Sequence, residues 1–296
     1  MVSEISVMDS DSYSLKFDNG FCLFVPANVR PSKPIKIKCV LDENNDTIVK
    51  CRNVVIMEPG SSADLLITYC TRSNKPCNYY DVTDITLGES ATLNLVRMQQ
   101  CNNTTSLYTS TNVQQSTCSR MKKHFVTMGG KKVHNSMKVE FSGAKAEHDA
   151  FGLSLTQQTG HVNNEIMITH ASPFCRSSQL FKHILSDMSV GEFTGRIVVK
   201  KGAFKTMAFQ RSNNILINPK AKMNICPQLE IYADDVKCSH GATVGQLDAE
   251  ALFYMRSRGI CETEAKKILL RAFANEAIDA ISNKSFRENI RKQILC

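Results

Sequence analysis

The chain has 296 residues, 42% of them hydrophobic, and a formal net charge of +8. That balance excludes global disorder and fits either one large core with a smaller appendage or an elongated repeat fold. No apolar run approaches the length of a bilayer-spanning helix, so no membrane association is expected.

Residues 1–17 carry Glu4, Asp9 and Asp11 and no apolar stretch, so a secretory signal is not visible. The twelve cysteines are scattered without a CxxC pair, which is no zinc-ligand pattern. They read as reduced thiols of a cytoplasmic protein, many of them small core residues. In such a compartment the glycosylation-like triplets Asn45-Asp46-Thr47 and Asn102-Asn103-Thr104 are chance matches. Basic residues gather at 122–138, at 196–222 and along the last helices. Such a surplus favours acidic partners, but no RRM-type or helix-turn-helix pattern accompanies it and nucleic acid is not expected.

From about Tyr13 to Thr243 the chain reads as short strands. PIKIKCVL (34–41), NVVIM (53–57), DLLITYC (64–70), ATLNLVRM (91–98) and GRIVVKK (195–201) are rich in β-branched or aliphatic residues, and several alternate with period two. Between them recurs a small turn followed by alanine: Pro59-Gly60-Ser61-Ser62-Ala63, Gly88-Glu89-Ser90-Ala91, Ser142-Gly143-Ala144-Lys145-Ala146, Lys201-Gly202-Ala203 and Pro219-Lys220-Ala221. Glycine is expected to supply the positive φ of each corner, and alanine to fit where backbone layers stack closely. Many strands and a degenerate corner suggest a parallel β-solenoid; an ordinary sandwich or barrel stays open beside it. SQLFKHIL (178–185) reads equally as a helix start or a buried strand.

The last fifty residues or so change character. Asp248 is a plausible N-cap, with Gly259 as the C′ residue. A second helix opens near 261–263 with a stripe of Ala265, Ile268, Leu269, Ala272, Phe273, Ala277, Ala280 and Ile281. Ser285-Phe286-Arg287-Glu288 reads as a capping box opening a third. The division is therefore 1–243 for the β core and 244–296 for the helices. Leu252, Phe253, Tyr254 and Met255, with Arg256 and Arg258 beyond, give the first helix apolar residues on more than one face: part is expected to cap the solenoid end, and part, through Phe253, Tyr254 and Arg258, to meet a partner.

Cys238 and His240 are the sharpest chemical pair. On an extended strand, residues i and i+2 share a face, where a thiol and an imidazole can ligate zinc or iron, or the imidazole can activate the thiol. Two ligands do not close a site, and the plainer reading is a small buried cysteine beside a hydrogen-bonded histidine. Upstream, His161, His170, Cys175 and His183 would share a face only if stacked coils aligned them. Asp234-Asp235 is a glycosidase-like pair of carboxylates, but adjacent strand residues point to opposite faces. Gly129-Gly130-Lys131-Lys132 lacks the spacing of a phosphate-binding loop, and no GxSxG or HExxH occurs.

PQLEIYADDVKCSHGATVGQLDAEALFYMRSRGI (227–260) resembles the signature of the SufB/SufD family, the scaffold components of iron–sulfur cluster assembly. AFQRSNNILINPKAKMN (208–224) and RSSQLFKHIL (176–185) resemble the same family, and the Cys-Ser-His-Gly-Ala-Thr form resembles its SufD branch. The resemblance implies a right-handed parallel β-helix followed by a small C-terminal helical domain, with a strand at 178–185. It implies a non-enzymatic subunit that pairs with a SufB-like chain through the end of the β-helix and docks a SufC-type ATPase on its helices. By position, His240 matches the histidine at that interface, facing a cysteine of the SufB-like partner, and Cys238 matches the neighbouring cysteine. A transient iron–sulfur cluster or iron at a shared interface is then expected, with none held by this chain alone. Family members usually carry a helical region ahead of the β-helix, whereas strand-like pattern begins here near Tyr13. The alternatives are a homodimer or homo-oligomer without a SufB partner, and a carbohydrate-active β-helix enzyme; aromatic content of 7% and the absence of Trp disfavour the latter.

Overall fold

The computed structural model describes residues 19–41, 48–72 and 74–294. The expected first strand near Tyr13, the segment 1–17, the triplet Asn45-Asp46-Thr47 and Cys296 lie outside them. Its strands run in chain order as β1 (Cys22–Val25), β2 (Ile35–Leu41), β3 (Ile48–Met57), β4 (Ser62–Thr71), β5 (Cys77–Leu87), β6 (Thr92–Cys101), β7 (Thr105–Gln115) and β8 (Arg120–Gly129). They continue as β9 (Lys132–Phe141), β10 (Glu147–Thr156), β11 (His161–His170), β12 (Arg176–Leu185), β13 (Val190–Val199), β14 (Met207–Leu216), β15 (Lys222–Ile231) and β16 (Lys237–Gly245). Three helices follow: α1 (Ala249–Ser257), α2 (Glu262–Asp279) and α3 (Lys284–Gln293).

Odd and even strands form two separate eight-stranded sheets, each strand parallel to the one a coil before it. This is the parallel β-solenoid, and it removes the sandwich and barrel alternatives. Connections of this parallel kind are right-handed. Ser106 pairs with Lys132 and Val190 with Lys222, so a coil takes from 26 to 32 residues. Residues 178–185 belong to β12, a strand.

Alternation sets which side chains enter the core. In β5, Cys77, Tyr79, Asp81, Thr83, Ile85 and Leu87 are buried while Asn78 and Tyr80 are exposed. The inward residues of successive rungs stack into one apolar cluster that includes Val55, Leu65, Ile67, Leu95, Ile166 and Phe181. The corner alanines are buried as expected, Ala91, Ala146 and Ala203 completely.

The corner glycines meet the expectation in part: Gly60 and Gly202 take positive φ, of 70° and 87°. One stacked column of corner residues takes positive φ, and it consists of Asn28, Gly60, Ser90, Cys118, Lys145, Phe174, Lys205 and Asp235. Gly88 and Gly143 are not in the left-handed region. They are required by close approach instead: a Cβ on Gly88 would lie 2.8 Å from the Pro59 nitrogen, and one on Gly143 would lie 2.0 Å from the Thr117 nitrogen.

The helices do not seal the solenoid end. The α2 and α3 residues Leu270, Ala274, Ala277, Ile278, Phe286 and Ile290 pack on the outer face of the even-strand sheet, over Leu66, Val96, Val126, Leu153 and Ile184. A fully buried aliphatic side chain there contributes about 1.5–3 kcal/mol. The sheet presents a ready apolar face, so the helices lie along it rather than over the last coil. The buried line on α2 is centred on Leu270, Ala274 and Ile278. The expected stripe is therefore rotated, with Ala272 exposed and Ile268, Leu269 and Phe273 half-buried. Lys182 of β12 ties the helix down: its Nζ donates to the Phe273 carbonyl at 2.9 Å, lies 4.2 Å from the Phe273 ring centre and pairs with Glu276.

The cap of α1 is Asp248, whose carboxylate accepts from the Glu250 and Ala251 amides, and Gly259 follows with φ of 85°. The cap of α3 is Asn283, not Ser285; its side chain accepts from the Phe286 amide, two residues earlier than the expected box. No helix among the described residues is long and apolar enough to cross a membrane.

Candidate functional site

The last even strand, β16, is KCSHGATVG and pairs with β14 through Cys238↔Ala208, His240↔Gln210 and Thr243↔Asn213. Ala208 and Gln210 are buried inside the solenoid. Register therefore assigns Cys238 and His240 to the inward-facing set of the final coil. Nothing stacks above that coil among the described residues, so His240 is exposed and Cys238 half-buried. The imidazole and thiol thus occupy core positions that open to the outside.

The neighbouring end strand is β15, the last of the odd sheet. Its inward residues Met223, Ile225, Pro227 and Leu229 are only half-buried, and Ile231, Tyr232 and Val244 are exposed around the rim. Pro227 fits an edge strand because its missing N–H removes no bond from a continuing ladder. Both end strands present one edge with no strand beside it among the described residues. An open edge over apolar side chains is a template for another chain.

Cys238 packs on Ile197, Val199, Ala203 and Ala208. Burial pushes its thiol up, partly offset by a hydrogen bond with the Ala208 backbone, so it stays protonated at neutral pH. No hydrogen bond links it to His240. Among the described residues no group of three or more His, Cys, Asp or Glu side chains is placed to hold a metal ion. This rung offers two donor side chains.

A polar ladder inside the core, missed in the sequence reading, anchors β16 from below. Asn135 donates to Asn164 at 2.9 Å, Asn164 Nδ2 lies 2.9 Å from His183 Nε2, His183 Nδ1 lies 2.6 Å from Asn214 Oδ1, and Asn214 donates to the Thr243 carbonyl at 2.9 Å. An amide donor on one side and an amide oxygen on the other fix His183 as the neutral Nδ1–H tautomer. Desolvation holds its pKa down at about 4. The available signal was a polar residue at inward positions of successive strands, which is visible only once the register is known.

The upstream histidines do not converge. His161 faces Glu192 at 3.4 Å on the outer surface, His170 lies against Phe141 and Ser177 inside, His183 belongs to the ladder, and Cys175 bonds the Gly143 carbonyl. Asp235 sits at a corner and pairs with Lys205.

Beyond β16, α1 buries none of its residues. Phe253 is 73% exposed and Tyr254 59%, with the Arg258 guanidinium 5.2 Å from the Tyr254 ring centre. Two such rings in water form an unpartnered apolar surface.

The SUF system FeS cluster assembly SufBD core domain matches residues 39–273. The chain is 29% identical over 285 residues to an iron–sulfur cluster assembly SufBD family protein of Synechocystis, covering 93% of this chain and 62% of that protein. It is 36% identical over 171 residues to the iron–sulfur cluster assembly protein SufD of Escherichia coli, covering 58% and 40%. It is 32% identical over 173 residues to an iron–sulfur cluster assembly SufBD family protein of Mycobacterium leprae, covering 56% and 44%. The chain thus spans between 40% and 62% of the length of these relatives. With the core-domain match reaching from β2 through β16 into α2, the chain belongs to the SufB/SufD family of the SUF system.

Proposed function

We propose that this chain is a non-enzymatic scaffold subunit of iron–sulfur cluster assembly. A SufB-like subunit adds its own end strands to β15 and β16, and the two chains together complete a coordination shell around a nascent cluster. The cluster is cargo, shared for a time across the junction. The observation that carries this reading is His240 on an inward position of the last coil, which among the described residues is uncovered and has free strand edges. Imidazole is a credible iron ligand beside thiolates, and a second chain can supply the missing donors. Cys238 is the second candidate donor from this chain; its raised pKa means that binding metal would release a proton.

The helices serve a different partner in this proposal. Phe253, Tyr254 and Arg258 on α1 form the docking face for a SufC-type ATPase subunit. Aromatic and arginine side chains together are common binding hot spots. Because α2 rests on the outer face of the solenoid, motion of a bound ATPase would be transmitted to the strands near the end.

The test is iron–sulfur reconstitution of the co-expressed complex carrying His240→Ala. Cluster yield is expected to fall sharply while the subunits still co-purify; an unchanged yield removes His240 from the mechanism. A chain that reaches dimer mass alone and does not change on adding a SufB-like subunit would favour the homo-oligomeric alternative.

A further inference from the structure

The stacked corner column needs positive φ at every level, and small or polar residues fill it except at one. Asn28, Gly60, Ser90, Cys118, Lys145, Lys205 and Asp235 occupy seven levels, and Phe174, with φ of 62°, occupies the eighth. A bulky side chain is strained in that region, where glycine or asparagine is at ease. The ring gains little from the core in return. Phe174 is 48% exposed, and its ring partner Phe204, from the next corner, is 45% exposed. The two rings meet edge to face at 5.2 Å, joined at the backbone by the Phe174 amide donating to the Phe204 carbonyl. Strain kept for an outward-facing ring points to use rather than to packing.

The surroundings are basic. Lys145 occupies the same column one coil earlier, and its amide bonds the Pro173 carbonyl. Lys201 lies in the corner that carries Phe204, and Lys237 starts β16 beside it, its amide bonded to the Thr206 carbonyl. All three lysines are exposed, and none has an ion pair among the described residues.

We propose that the Phe174–Phe204 pair and its flanking lysines form a docking site for an acidic segment of another protein carrying one apolar anchor residue. The rings receive the anchor, and Lys145, Lys201 and Lys237 receive the carboxylates. A second copy of this chain would bring like charges together on this patch. A flat anionic lipid surface would also meet Asp234 and Asp235 on the following corner. A single peptide brings no matching lysines of its own, and it can reach the rings, Lys145 and Lys201 without covering the Asp234–Asp235 corner. The proposal does not depend on the cluster-assembly reading: the rings, Lys145 and Lys201 lie outside β16 and α1, and only Lys237 belongs to β16.

The test uses the full chain on an array of short acidic peptides, each with a single central Phe, Leu or Ile. Wild-type protein should bind a subset, and Phe174→Asn should weaken that binding about tenfold or more. Lys145→Glu and Lys201→Glu should weaken it likewise. The thermal midpoint of Phe174→Asn should stay level or rise, because asparagine suits the left-handed corner. Overturning results are an array with no peptide whose binding depends on Phe174, or a midpoint that drops in Phe174→Asn, which would make the ring pair structural. Phe174-dependent binding to phosphatidylserine vesicles in place of the peptides, or a dimer dissociated by Phe174→Asn, would overturn it too.

Discussion

Four imidazoles are buried where protonation is penalised. Desolvation, the largest cause at each, lowers His124, His148 and His170 to about 3 and His183 to about 4. The unfolded chain takes up protons near the ordinary histidine value of about 6.5, while the folded chain does not. Their contribution is therefore fully present above that value. It is lost progressively as pH falls from there towards the folded values, by about 1.4 kcal/mol per pH unit for each histidine. Chemical denaturation at several pH values should show stability flat above neutrality and falling steeply below about pH 6. A flat profile down to pH 4 would contradict this burial. Asp81 is the corresponding anion: it pairs with Arg97 at 3.3 Å, both side chains fully buried, and accepts from Tyr69 and Asn53 at 2.8 and 2.7 Å. Asp81→Ala strands a buried guanidinium and should cost about 3–5 kcal/mol in a urea titration. At the anchor of the last strand, Asn214→Leu leaves the buried His183 Nδ1–H unpaired and removes one hydrogen bond from the Thr243 carbonyl, at about 1–3 kcal/mol for the unpaired donor. Its amide exchange should rise first in β16.

At the scale of elements, the docking face proposed for α1 can be tested apart from folding. Replacing Phe253 and Tyr254 by serine removes exposed rings from a helix that buries nothing, so the thermal midpoint should hold while capture of a SufC-type ATPase is lost. Retained capture would move the docking face elsewhere. Asn283→Ala tests the α3 cap and should cost about 1 kcal/mol, against little for Ser285→Ala. The strand pattern was legible because alternation and β-branched residues are local properties, as in β4 and β13. The corners were only half legible. The sequence reading gave every glycine the same task; Gly60 and Gly202 perform it, whereas at other corners positive φ falls on Ser90 and Lys145, and Gly88 and Gly143 answer to backbone from the previous coil. The α2 face was rotated in the reading because hydrophobicity alone does not say which side meets the sheet; Lys182 and the Leu153–Ile184 surface decide it. Cys238 and His240 were legible as a pair on one strand face. Their place above Ala208 and Gln210 depended on pairing across thirty residues, which no local pattern carries.

For the whole molecule, the direction of stacking matters most. Each inner coil is covered on both sides, so its backbone edges and inward side chains are satisfied by neighbours. The helices that could have covered the last coil lie on the flank instead, so that among the described residues β15 and β16 have free edges over half-buried apolar residues. Such an edge invites pairing, and a partner that continues the coils would carry the core across the junction and enclose His240. The most direct measurement is amide hydrogen exchange of residues 237–245 in the chain alone and in complex with a SufB-like subunit. The account predicts that amides on the free edge of β16 exchange fast alone and become strongly protected in the complex. Unchanged exchange across β16 in a complex that has formed would contradict it.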